Sequence, residues 1–160
     1  MEIMIPLEVL EQRIALAPVR AIGIFFDHVP LGVQKQAAIV NAVNIQVSRD
    51  LVPVWNTPAL ISGYTRLRQI PKKSWIVDVS YHSSAYGIHF TRNNIPVATV
   101  QYENGYTYAI SHEVLEMLVD PYGDRYSATG TLEEVCDPLY PRSYKIDGIS
   151  VARFVTPAYF

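Results

Sequence analysis

Cysteine is almost absent from this chain: Cys136 stands alone among 160 residues, so no internal disulfide can form and nothing points to an oxidising compartment. Basic patches are missing too. The formal net charge is -2 and the longest basic run is Lys72-Lys73, which leaves no electrostatic footprint for nucleic acid. No stretch approaches the roughly 20 apolar residues of a membrane span. The start, Met1-Glu2-Ile3-Met4-Ile5-Pro6, has no basic segment ahead of a long apolar one. The expectation is a cytoplasmic protein with neither nucleic acid nor membrane as partner, leaving open release by lysis or packing into a particle.

What the chain does have is apolar material. It is 49% hydrophobic and 18% charged, with 11 tyrosines, which excludes disorder and supplies one core for a single domain over residues 1–160. Some of that surface is expected at an interface, in a homo-oligomer or an assembly. The ending Phe154-Val155-Thr156-Pro157-Ala158-Tyr159-Phe160 is expected to dock on its own fold or on another chain.

The order of elements reads as α+β. Ala21 to Phe26 is a short apolar run suited to a buried strand, and Val40, Val43, Val47 and Leu51 mark one face of a helix running from Val33 until Pro53 ends it. Pro58, Gly63 and Pro71 predict an irregular loop from Val54 to Lys73. Strand-like runs at Trp75 to Tyr81, Tyr86 to Thr91 and Pro96 to Tyr102, separated by Ser83-Ser84 and Asn93-Asn94, predict an antiparallel meander. A second helix is predicted from Tyr106 to Val119, stopped by Asp120-Pro121, and Asp147-Gly148 predicts a C-terminal hairpin.

Chemistry concentrates in the second helix. His112-Glu113-Val114-Leu115-Glu116 places an imidazole and a carboxylate one turn apart, the spacing at which H-E-x-x-H helices hold a metal and aim the intervening Glu at the attacking water. Here a carboxylate replaces the second imidazole. His112, Glu113, Glu116 and Asp120 crowd an arc of roughly 100° on an otherwise apolar helix, with no Lys or Arg among them. A water-facing polar stripe is the plain alternative; a divalent counter-charge is the sharper one.

A third ligand must come from elsewhere. Glu134 with Asp137 as the support of His112 fits, the reverse assignment fits nearly as well, and Asp120 is the fallback, although both aspartates precede proline and could simply cap turns. One imidazole and two carboxylates cancel a +2 charge and make a weaker Lewis acid, so zinc is joined by manganese and iron(II) as candidate occupants. Glu113 is the candidate base. His82 and His89 read as hydrogen-bonded structural histidines, His28 as a strand-end residue and Cys136 as a small buried one. Tyr122, Tyr126, Tyr140 and Arg125 are the candidate donors to a transition state.

The block Ser111-His112-Glu113-Val114-Leu115-Glu116-Met117-Leu118-Val119-Asp120-Pro121, with Glu134-Val135-Cys136-Asp137-Pro138, the Asn44 to Trp55 segment and the Phe154 to Phe160 ending, resembles a family of phage and prophage proteins. In outline it is also similar to zincin-type metallopeptidases with a Glu third ligand. The zincin resemblance implies a small domain with a mixed or antiparallel sheet on two main helices, a peptide or protein substrate, and a strand along the substrate ahead of the motif helix, here Pro96 to Tyr102, with the substrate pairing near Val97 to Tyr102. The phage resemblance implies a virion structural or assembly protein among phage structural proteins, in which the motif is a metal staple or a vestige.

Overall fold

A computed structural model describes residues 18–160; the Met1 to Pro6 reading lies outside the described residues. The chain builds an α+β fold in which a five-stranded mixed sheet packs on two main helices and a C-terminal hairpin completes the core. In β1 (Arg20–Phe26) the alternation of the strand turns Ile22, Ile24 and Phe26 into the core. α1 (Val33–Ile45) then returns the chain to β2 (Ala59–Tyr64), which pairs with β1 in parallel. A parallel neighbour needs a crossover of this kind.

The first helix does not stop before Pro53. It continues through a wide π turn (Gln46–Leu51) into the short α2 (Val52–Trp55), which ends on left-handed Asn56. The widened turn precedes the proline and stands in for the i→i−4 geometry that its ring excludes. The stretch from Val54 to Lys73 is likewise not all loop, because β2 lies within it. Proline and glycine hide this strand in the sequence, yet Gly63 has a packing reason: a Cβ there would approach Val40 Cγ2 to 3.0 Å. Asn44 of α1 donates to the Ile61 carbonyl at 2.8 Å and accepts from the Ile61 amide at 3.0 Å, capping part of the free edge of β2.

The expected meander is also replaced. β3 (Trp75–Ser80) pairs in parallel with β1 and with β5 (Ile95–Gln101), while β4 (Gly87–Arg92) folds back antiparallel outside β5, giving the order β2-β1-β3-β5-β4. Asn93 and Asn94, at φ 51° and 61°, make the β4–β5 turn. Burial dictates the placement. Pro96, Val97, Ala98 and Val100 of β5 are buried and need neighbours on both sides, whereas β4 exposes Ile88 and Phe90 and tolerates the edge. The free edge ahead of the motif helix is therefore β4, not Val97 to Tyr102.

α3 (Tyr106–Val119) begins after Gly105, at φ 88°, where any Cβ would collide with the Tyr86 hydroxyl. Every residue from Tyr108 to Val119 is buried. Its apolar side, including Ile110, Val114, Leu115, Met117 and Leu118, joins Ile39, Ala42 and Val43 of α1 and the inward residues of the sheet in one core. The hairpin of β6 (Ser143–Ile146) and β7 (Ile149–Ala152) closes through Asp147-Gly148 at φ 47° and 79°. Its last residue is held from two helices: the Ala152 amide donates to Ser111 Oγ at 2.6 Å, and Gln46 Nε2 donates to the Ala152 carbonyl at 2.7 Å.

The apolar ending docks on its own chain. Trp55 Nε1 donates to the Val155 carbonyl at 2.9 Å, and the Trp55 and Phe160 rings meet edge-on at 6.3 Å. Among the described residues no helix is long and apolar enough to cross a membrane.

Candidate metal centre

The polar stripe of α3 does not face water. His112, Glu113, Glu116 and Asp120 are at most 8% exposed, beside the edge strand β4 and the segment Glu134 to Asp137 that precedes the hairpin. Burying ionisable groups this deeply is costly unless they are paired or hold a cation.

His112 Nε2 lies 3.1 Å from Glu116 Oε2 and 3.2 Å from Asp137 Oδ1. Its other nitrogen, Nδ1, faces the Tyr108 hydroxyl at 3.4 Å. Asp137 thus meets the nitrogen that Glu116 also meets, and the partner on the far side of the ring is Tyr108. Two carboxylates flank one imidazole nitrogen, with a tyrosine hydroxyl beside the other. The expected support of His112 by Asp137 from behind is not the geometry found. Glu116 Oε1 accepts from the amides of Cys136 and Asp137 at 3.1 and 3.2 Å, which ties the helix to the segment that brings Asp137 in.

The sequence reading did not place His89 at this site, and the fold brings it there. Strand alternation puts its ring on the helix side of β4, opposite the exposed Ile88 and Phe90, with a side-chain exposure of 7%. Nδ1 is 3.4 Å from Glu113 Oε2 and 3.9 Å from Glu116 Oε2, and Nε2 is 3.2 Å from the Asp120 carbonyl and 3.7 Å from Glu134 Oε1. The available signal was the period of two in Gly87, His89 and Thr91, which sets the imidazole on the face away from Ile88 and Phe90. Gly87 shares its reason with this site. A Cβ there would stand 2.5 Å from Glu113 Oε1.

Glu134 approaches His89 rather than His112, and its Oε2 is buried without a hydrogen-bond partner. Asp120 caps the following turn: its Oδ1 accepts from the amides of Asp124 and Arg125, each at 3.0 Å, while Oδ2 has no partner. Cys136 is buried, its thiol 3.8 Å from the His112 carbonyl. His28 pairs with Asp27 at the surface and His82 is exposed, so neither joins the cluster.

Of the candidate donors, Tyr140 is at the site. It lines a 190 Å³ cleft with Tyr86, Gly87, Tyr108, Ala109, His112, Glu113 and Asp137. Arg125 instead pairs with Glu133 and lies over Trp55, and Tyr122 and Tyr126 are exposed outside the cleft.

The electrostatics follow from crowding. Burial raises the Glu113 carboxyl above its ordinary range against the pull of His89 and His112. Burial, reinforced by Glu116, pushes Glu134 up to about 8. For His89 burial works against the charged ring, but Glu113, Glu134 and Glu116 prevail and lift it to about 9. Glu116 goes the other way: burial opposes its ionisation, yet the His112 hydrogen bond and charge hold it below the usual carboxylate range. No Lys or Arg forms an ion pair with Glu113, Glu116, Glu134 or Asp137 among the described residues. Two groups of potential ligands, His112 with Glu116 and Cys136, and His89 with Glu116 and Glu134, each offer atoms within 4.8 Å of one another.

Comparison with family models, curated proteins and solved structures gives no match. The fold and cluster define a class only, an α+β domain with a buried imidazole and carboxylate cluster opening on a tyrosine-lined cleft.

Proposed function

We propose that the protein is a metal-dependent hydrolase acting on peptides. The observation that carries the reading is the convergence of Glu116 and Asp137 on one nitrogen of buried His112, with Glu113 beside them on the cleft wall. His112, Glu116 and Asp137 would hold a divalent cation; Glu134 is displaced from the third position on His112 and sits by His89. Zinc, manganese and iron(II) all suit an imidazole and carboxylate donor set. Such a cation supplies Lewis acidity toward an acyl oxygen.

The remaining work belongs to the chain. Tyr108 sets the His112 ring, so that Nε2 keeps facing the carboxylates. Glu113, raised by burial, is suited to take a proton from water in the cleft at neutral pH and return it to a leaving amine. Tyr140 stands at the mouth as a hydroxyl donor toward developing charge. The free edge of β4 runs past Glu113 through Gly87, so an extended peptide adding to that edge would bring its backbone to the base. The absent side chain at Gly87 leaves room for that approach.

A phage-associated structural or assembly role is the alternative; the apolar C-terminus that favoured it packs in part on Trp55, while Tyr159 stays exposed. Elemental analysis of purified protein, with Glu113→Gln compared against the native chain on a peptide library, tests the hydrolase. Turnover lost with metal retained supports it. Native protein that neither contains nor takes up metal overturns it.

A further inference from the structure

We propose that the cluster holds two divalent cations bridged by Glu116, the second bound through His89 and Glu134. The inference rests on the metal-centre reading and extends it. The two groups of ligand atoms have Glu116 as their common member, each group has its own imidazole, and the two imidazoles come from different elements, α3 and the edge strand.

Both rings are prepared alike. His112 has one nitrogen against the Tyr108 hydroxyl and the other against carboxylates. In His89, Nδ1 faces Glu113 at 3.4 Å and Glu116 at 3.9 Å, and Nε2 faces the Asp120 carbonyl at 3.2 Å and Glu134 Oε1 at 3.7 Å. Each ring therefore has at least one nitrogen turned toward carboxylates, the position from which a histidine ligates a cation. Glu116 is equally placed to serve two centres. Oε2 is 3.1 Å from His112 Nε2 and 3.9 Å from His89 Nδ1.

Charge gives the second argument. Glu113, Glu116, Glu134 and Asp137 bring four carboxylates to the cluster without a Lys or Arg ion-pair partner among the described residues. One divalent cation leaves negative charge uncompensated among groups that are mostly buried, and a second cation reduces it. Glu134 reaches His89 Nε2 through Oε1, and its other oxygen, Oε2, is buried without a hydrogen-bond partner.

The test uses full-length protein stripped with chelator and titrated with manganese(II), followed by calorimetry and elemental analysis. Native protein is expected to bind two equivalents per chain, and His89→Ala one, with His112→Ala also reduced to one. Electron paramagnetic resonance of the fully loaded native protein needs no variant and is expected to show exchange-coupled manganese in place of the six-line signal of isolated ions. One equivalent with an uncoupled signal overturns the second centre and leaves the hydrolase reading intact. No binding at all overturns both.

Discussion

Replacing Ser111 with alanine tests how the motif helix is locked against the C-terminal hairpin. Ser111 is fully buried, its Oγ donates to the Tyr108 carbonyl at 3.0 Å, and it accepts from the Ala152 amide at 2.6 Å. The first of these bonds lies within the helix and its loss is cheap, because that carbonyl keeps its helical role. The second is different. Ala152 is fully buried and its amide has the Ser111 hydroxyl as partner, so Ser111→Ala leaves a donor stranded in the core. A stranded buried donor costs about 1–3 kcal/mol. For a chain of this size that lowers Tm by roughly 2–12 °C. Urea unfolding followed by circular dichroism measures the change, with Ser48→Ala as the comparator. The Ser48 hydroxyl also donates to a backbone carbonyl, Asn44 at 2.8 Å, but at the surface, and its removal should cost less than about 0.5 kcal/mol. Equal midpoints for the two variants would refute the reasoning, since it rests on burial of the orphaned amide and not on hydroxyl loss as such.

Two further outcomes are expected. Gly87→Ala puts a methyl 2.5 Å from Glu113 Oε1 and must displace that carboxylate by about 1 Å, so peptide turnover should fall on the order of 100-fold while the metal content set by His112, Glu116 and Asp137 is retained; unchanged turnover would remove Glu113 from its assigned place. Metal-free protein should lose stability as pH rises: His89, lifted to about 9 in the fold, contributes fully below its ordinary value of 6.5 and progressively less through 9. Glu134, lifted from 4.5 to about 8, acts in the same sense, and a flat Tm between pH 6 and 9.5 would contradict both.

The motif helix was legible because its boundaries carry local chemistry, glycine at 105 in a left-handed conformation and Asp120-Pro121 at the end. The hairpin turn at Asp147-Gly148 was legible for the same reason. The second strand was not, since Pro58 and Gly63 signal a loop and only the nearness of Val40 explains the glycine. Nor was the parallel pairing of β3 with β5. Short apolar strands separated by turns pair antiparallel by default, and here the competition is decided by which strand can bear an exposed edge. His89 escaped because it lies 23 residues before His112 in the sequence, on a different element.

The sequence alone determined that one helix carries an imidazole and carboxylates without cations, because helical spacing is a property of neighbours in the chain. That the stripe is buried, that Asp137 and not Glu134 meets His112 Nε2, and that His89 enters from the edge strand were decided only by the tertiary structure. The reason is physical. Local periodicity sets which side chains share a face, whereas burial and ligand convergence depend on which distant strand and hairpin that face is packed against.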